Sequence, residues 1–295
     1  MMNIIGKKWI FLSISGLLVV ASIIAIAMYG LKPGIDFVGG TLWELKFDSS
    51  VTRSILQDEF VTDLHITDAL VTETGDGGFL VRLPETNEAD HTEYAAAIKG
   101  DFPSMTELRF ETIGAAVGGE LRNKSLTAFI LVLVGISLYI AFAFRKVSRP
   151  VSSWKYGVVT LLTLFHDAII PAGLFAILGA FKGIEVDTNF IVAVLVVMGF
   201  SVHDTIVVFD RIRERLRLAG GTPKDFSGLI NESVNQTMAR SINTSLTLVL
   251  VLLTLFFFGA HNLTYFVLTI LVGTIVGTYS SIFVASPLIA LWRKK

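Results

Sequence analysis

The stretch "GFSVHDTIVVFDRIRER", Gly199 to Arg215, closes an apolar run that begins at Phe190 and sets a carboxylate, Asp204, about five residues before that run ends. A charge at the centre of an isolated membrane-spanning helix costs about 2.5–3.5 kcal/mol on insertion scales. An aspartate in that position must be neutralised by a proton or matched by a cation. Ser201, Asp204 and Thr205 stand at i, i+3 and i+4, so they share one helix face. The fold and the function both turn on what that face meets.

The rest of the chain says that the run lies in a membrane. Of 295 residues 53% are hydrophobic and only 17% charged, with mean hydropathy +0.67, whereas a soluble domain carries about 25% charged residues. Six stretches reach the length of about 20 residues that a bilayer needs: Trp9–Tyr29, Leu126–Phe144, Tyr156–Phe181, Phe190–Phe209, Ser241–Gly259 and Thr264–Trp292, the last of them broken or tilted at Pro287. The first has an apolar core longer than a cleaved signal peptide uses, and we read it as a retained helix. Cysteine is absent, which excludes disulfides and cysteine-based metal sites.

Basic residues fall on alternate connections: Lys7 and Lys8; Arg145, Lys146, Arg149 and Lys155; Arg211, Arg213, Arg215, Arg217 and Lys224; and Arg293 to Lys295. Those are the cytoplasmic ends by the positive-inside bias, so both termini lie inside. The segment from Gly30 to Lys124, where acidic residues outnumber basic ones about two to one, lies outside.

That outer segment reads as a small α+β domain. Thr41–Phe47 alternates, with Trp43, Leu45 and Phe47 on one face. Arg53–Phe60 suits a helix, Ile66–Thr74 and Gly78–Leu83 two strands about a turn at Gly75-Asp76-Gly77, Ala89–Phe102 a helix, and Glu107–Ile113 a strand alternating through Leu108 and Phe110. The order βαββαβ is the ferredoxin-like pattern. His65 and His91 read as isolated surface residues. No nucleotide loop, metal spacing or nucleophile with its base is legible, and nothing points to nucleic acid. The expected organisation is therefore residues 1–30 as the cytoplasmic N-terminus and first span, 31–120 as the ferredoxin-like domain, and 121–295 as five further helices with a cytoplasmic loop at 210–240.

Polar residues recur in the other spans. Arg240, Asn243, Thr244 and Thr247 form one stripe at i, i+3, i+4 and i+7, at a depth similar to Asp204. If the two helices are neighbours, an Asp204–Arg240 pair is feasible, either as a static clasp or as a pair that takes up and releases a proton when it separates and joins. His166 and Asp167 fall near the middle of the third span, four residues before Pro171, as part of a proton path or as polar support. Glu185 and Asp187 lie at the outer boundary and read as solvated. Gly273 and Gly277 have GxxxG spacing, a close-packing signal, with Thr274, Thr278 and Ser281 on an adjacent line. Thr222-Pro223 starts a helix whose Phe226, Ile230, Val234 and Met238 recur every four residues, as in an amphipathic helix on the membrane surface or against a partner.

These residues carry a resemblance. "GLKPGIDFVGGTLWEL" (30–45), "IGAAVGGELR" (113–122), the long block "FHDAIIPAGLFAILGAFKGIEVDTNFIVAVLVVMGFSVHDTIVVFDRIRE" (165–214), "GGTP" (220–223) and "RSINTSLT" (240–247) resemble, in order, the SecF family of bacterial protein-export subunits, within the resistance-nodulation-division superfamily. The resemblance implies a multi-pass protein of the bacterial inner membrane that works with a SecD-like six-span subunit. It also implies the SecYEG channel, SecA and YajC or YidC as partners, preproteins as substrates, and a transported proton or sodium ion with no other cofactor. It places the coupling roles on Asp204 and Arg240. His203 stands where the family usually has asparagine, which sets a second titratable group beside Asp204 in sequence. Two other functions compete: an ion-coupled small-molecule or lipid exporter of the same superfamily, and an assembly factor with no ion cycle.

Overall fold

The computed structural model describes residues 2–48, 51–74, 77–145, 151–220 and 223–292. The turn at Gly75-Asp76, the Gly221-Thr222 pair and the basic residues Lys146, Arg149 and 293–295 lie outside the described residues. Two compact units are formed: a helical unit of Met1–Leu31, Thr127–Ile184 and Asn189–Lys295, and an α+β unit of Lys32–Leu126 with Glu185–Thr188.

In chain order, α1 is Lys8–Tyr29 and α2 a single turn, Ile35–Val38; β1 is Gly40–Lys46, α3 Arg53–Asp58, β2 Leu70–Glu73, β3 Gly78–Leu83, α4 Glu88–Asp101 and β4 Thr106–Ile113. The helices α5 (Ala115–Ala143), α6 (Ser153–Lys182), α7 (Thr188–Leu218), α8 (Phe226–Phe258), α9 (Thr264–Ser280) and α10 (Ser286–Leu291) complete the chain. Six helices among the described residues are long and apolar enough to cross a membrane, α9 and α10 counting as one.

The α+β unit has the expected element order and an antiparallel sheet ordered β2-β3-β1-β4, the ferredoxin-like arrangement with β1 central. Alternation on β1 sends Trp43, Leu45 and Phe47 into a core with Leu56, Phe60, Val71, Val81 and Ile98. The Thr52 hydroxyl caps α3, and the Asn87 carboxamide caps α4 by accepting from Asp90 N at 2.9 Å. Alternation on β4 fails at Leu108, which is exposed. Glu44 pairs with Arg109 but Leu45 with Glu107, so Leu108 is the extra residue of a bulge. His91 is no lone surface residue: α4 lays its ring on Phe110 at 3.7 Å between centroids, and Nε2 lies 2.9 Å from Glu107.

Two glycines fix how β1 begins. Gly39 and Gly40 have φ of 80° and 116°, a region that L side chains disfavour. A Cβ on Gly39 would also lie 2.6 Å from the Ala115 Cα. Glu185, read as solvated, is instead mostly buried against Arg82, with Nη1 and Oε1 2.7 Å apart. Burial pushes its carboxyl above the ordinary glutamate range, and the Arg82 charge opposes the rise. Beside it Val186 N donates to Lys32 O at 2.7 Å, and Thr188 N donates to the Asp36 carboxylate at 2.7 Å, which caps the start of α7.

In the helical unit the spans outrun their apolar stretches. α7 continues through the charged run Asp210–Arg217, stabilised by Arg211–Glu214 and Arg213–Asp210 pairs one turn apart. The separate surface helix does not form. Phe226, Ile230 and Val234 belong to α8 itself, which is continuous to Phe258, and they are buried inside the chain rather than set on a membrane. Its cap is Asp225, accepting from Gly228 N at 2.8 Å, and not a proline in the first turn. The N-terminal segment is tied to this extension: Asn231 Oδ1 accepts from Ile4 N at 2.8 Å, Asn235 Oδ1 from Met2 N at 2.9 Å, and Ile4 and Ile5 are buried.

Glu59 gives the core of the α+β unit a pH dependence. Glu59 is buried, and burial first, then the Asp101 and Asp63 carboxylates, raise its carboxyl above the ordinary glutamate range. The stability linked to it is full below that ordinary range and is lost as pH rises through the elevated value. Amide exchange of α3, corrected for intrinsic rates, should therefore lose protection as pH rises above the ordinary glutamate range, and the Glu59→Gln chain should stay flat. Equal pH dependence in both would refute the assignment.

Candidate functional site

The polar face of α7 points into the helical unit. Ser201, Asp204 and Thr205 are all buried. The Asp204 carboxylate accepts from Ser281 Oγ at 2.8 Å. Thr205 Oγ1 is buried without a partner among the described residues.

A second carboxylate lies beside it. Asp167, on α6, is wholly buried. Its Oδ1 lies 2.8 Å from His166 Nδ1, and its Oδ2 accepts from Ser280 Oγ at 2.8 Å and from Ser201 Oγ. Among the described residues neither aspartate has a lysine or arginine within ion-pair reach; His166 is the one basic partner, on Asp167. The His166 ring stacks near Tyr279, 6.4 Å between centroids, and Tyr279 Oη donates to Phe11 O at 3.1 Å. Pro171 has no N–H, so the Asp167 carbonyl lacks its usual helical donor, yet α6 runs through it unbroken.

Small residues make this convergence possible. A Cβ on Gly277 of α9 would sit 2.9 Å from the Ser201 Cβ, and one on Gly273 would run into Val197. The GxxxG face therefore seats Val197 and Ser201 of α7, one turn apart. Gly173 of α6 meets Ser22 of α1 in the same way. Ahead of Pro287 the last span opens into a π-helical turn, Ser281–Ala285, a feature frequent at functional sites. Ser280 and Ser281 stand at that opening, about 100° apart around the helix. One reaches Asp167 on α6, the other Asp204 on α7.

Arg240 is elsewhere. The pairs Arg215–Glu232 at 2.5 Å and Arg211–Gln236 at 2.7 Å set an antiparallel register between α7 and α8. Carried on at equal rise, it puts Asn243 level with Asp204 and Arg240 one turn nearer the charged end of α7. The side chains of Arg240, Asn243, Thr244 and Thr247 are nevertheless exposed. Ser245 of α8 faces inward and accepts from Thr278 Oγ1 at 2.6 Å. The Asp204–Arg240 pair is not made in this structure. His203 is also exposed, one residue round the helix from Asp204, and so lies outside the buried cluster. The structure thus joins Ser201, Asp204, Thr205, His166 and Asp167, and adds Ser280, Ser281 and Tyr279. The sequence signal for the added residues was the "TYSS" run ahead of Pro287.

Residues 93–295, which contain this whole cluster, match the model of the protein export membrane protein SecD/SecF, C-terminal. The chain belongs to the SecD/SecF family. Residues 24–51 match the SecD/SecF GG motif, and the positive-φ Gly39-Gly40 pair lies inside that match. The chain is 42% identical to the protein translocase subunit SecF of Thermobaculum terrenum, covering 100% of this chain and 95% of the relative. It is 37% identical to SecF of Anaerolinea thermophila, covering 99% and 94%. A crystal structure of SecDF, a translocon-associated membrane protein from Thermus thermophilus, superposes with a TM-score of 0.86 at 34% identity, over 99% of this chain and 38% of that one. Against SecDF in a super-membrane-facing form the TM-score is 0.68. Both relatives are named as protein translocase subunits.

The close approach of α7 and α9 is directly testable. Gly277→Ala forces a methyl against Ser201 and should destabilise the helical unit by about 1–3 kcal/mol, read as a lower unfolding temperature in mild detergent. Gly199→Ala, whose Cβ meets nothing within 4 Å, should leave it unchanged.

Proposed function

We propose that this chain is the SecF-type subunit of an ion-driven pair that assists Sec protein export, working beside a SecD-like six-span subunit on preproteins at the SecYEG channel, with SecA and YajC or YidC as associates. The observation that carries the proposal is the separation of charges across α8. Asp204 is buried with a single hydroxyl donor, and the Arg240 stripe is uncovered on a membrane-spanning helix. A guanidinium and an amide facing hydrocarbon are costly, and a second polar membrane surface would cover them. A relative that carries both names in one chain, SecDF of Thermus thermophilus, supports such a surface; it is 36% identical over 90% of this chain and 35% of its own length.

On this reading ion binding at Asp204 changes the charge inside the helical unit, and the stripe on α8 responds by exchanging partners. Each proton moving down the potential supplies about 2.3 kcal/mol per 100 mV. The chain would do mechanical work and cleave no bond. It would lie in the bacterial inner membrane, with both termini and the Arg211–Leu218 end of α7 in the cytoplasm and the α+β unit outside.

The test uses the chain reconstituted with its SecD-like partner. Asp204→Asn should reduce gradient-driven proton uptake to the level of empty liposomes, or sodium uptake if sodium is the ion, and should slow preprotein release to the rate without a gradient. Unchanged uptake and release would reject the coupling role. The chain has no cysteine, so Asn243→Cys provides a lone thiol that should cross-link to the partner subunit and not to lipid-facing probes.

A further inference from the structure

We propose that Asp167 is a second proton-holding carboxylate on the route that serves Asp204, with His166 as its donor and the hydroxyls of Ser280 and Ser281 reporting the state of one carboxylate to the other. This inference rests on the reading of Asp204 given above. Asp167 is the most deeply buried carboxylate of the helical unit, and it has no guanidinium or ammonium partner among the described residues. A purely structural aspartate would sit in a closed network, since buried polar groups are almost always satisfied. Here the network has an open end. His166 is 4% exposed, sets Nδ1 2.8 Å from the Asp167 carboxylate, and has a buried Nε2 with no partner among the described residues.

The open nitrogen defines a proton step. With Nδ1–H donating to the Asp167 carboxylate, Nε2 carries the free lone pair. A proton arriving at Nε2 forms an N–H bond there, the Nδ1–H bond breaks, and an O–H bond forms at Asp167 Oδ1. The imidazole is left neutral in its other tautomer, and it returns to the first when Nδ1 takes up a proton and Nε2 releases one. No electrons are exchanged.

The hydroxyls then register the change. Ser280 Oγ is 2.8 Å from Asp167 Oδ2 and 3.0 Å from Gly277 O on its own helix. Ser281 Oγ is 2.8 Å from Asp204 Oδ2 and 2.9 Å from Thr278 O. Each serine thus has two acceptors, a carboxylate and a helix carbonyl, and neutralising the carboxylate favours the carbonyl. Ser201, bonded to Asp167, stands one turn before Asp204 on α7, roughly 4.5 Å along the axis. The two carboxylates therefore share both flanking helices, at the edge of a π-helical turn. The titratable groups that face Asp167 are His166 on α6, Tyr279 on α9 across the His166 ring, and Asp204 on α7. At this level α1 contributes the Ser15 hydroxyl, 3.5 Å from Tyr279 Oη, and no charge.

The experiment measures proton uptake by an enclosed pH dye in liposomes holding the chain and its SecD-like partner, under an imposed gradient, for Asp167→Asn, His166→Gln and Asp204→Asn separately. Collapse of uptake in all three supports the second site. Collapse in Asp204→Asn alone overturns it and leaves the reading of Asp204 standing; wild-type uptake in all three overturns both. Because Asp167→Asn can fail to assemble, infrared difference spectra of two milder variants give an independent readout. Ser280→Ala should shift the protonated-carboxyl band that is missing in Asp167→Asn or, where that variant does not assemble, a band untouched by Asp204→Asn. Ser281→Ala should shift the Asp204 band. A single carboxyl band, insensitive to Ser280→Ala, overturns the proposal.

Discussion

Two carboxylates inside an apolar helix bundle need donors, and the structure supplies them from neighbouring positions on one helix. Asp167 of α6 and Asp204 of α7 are held by Ser280, the last residue of α9, and Ser281, the first of the π-helical turn, so this span must touch both helices at the same depth. Only glycine faces allow that closeness, and this explains Gly277 against Ser201 and Gly273 against Val197. An ion pair in this interior would desolvate two charges, whereas hydroxyls bring dipoles without a second charge to bury.

The exposed stripe on α8 is the complement of that economy. Ser241 and Ser245 turn inward, while Arg240, Asn243, Thr244 and Thr247 turn outward. A single membrane chain rarely leaves such a face to lipid. Under the proposed function a SecD-like subunit covers this face, and the inward and outward polar faces of α7 and α8 then serve one pair of subunits.

The α+β unit shows how local pattern and tertiary contact divide the labour. Period-2 alternation on β1 and the turn signals around β3 are local properties, and they were legible as the βαββαβ order. The bulge at Leu108 was not, because it is defined by the register of β4 against β1. His91 and Glu185 looked like surface residues because a one-dimensional pattern carries no information about which strand or loop will cover them. The continuous α8 was hidden for a related reason. The apolar repeat Phe226, Ile230, Val234 looks the same whether its face meets lipid or protein.

In the helical unit the residue types alone determined that six spans exist, that Asp204 shares a face with Ser201 and Thr205, and that α9 presents a glycine seam. Hydropathy and helical periodicity act along the chain, and both survive without neighbours. Which carboxylate meets which donor was decided only by packing. Helix rotation sent Arg240 and His203 outward, and the approach of α6, α7 and α9 brought Asp167 within reach of serines more than 30 residues away. Hydrogen bonds require distances near 3 Å, and spacing in sequence cannot specify a distance between helices.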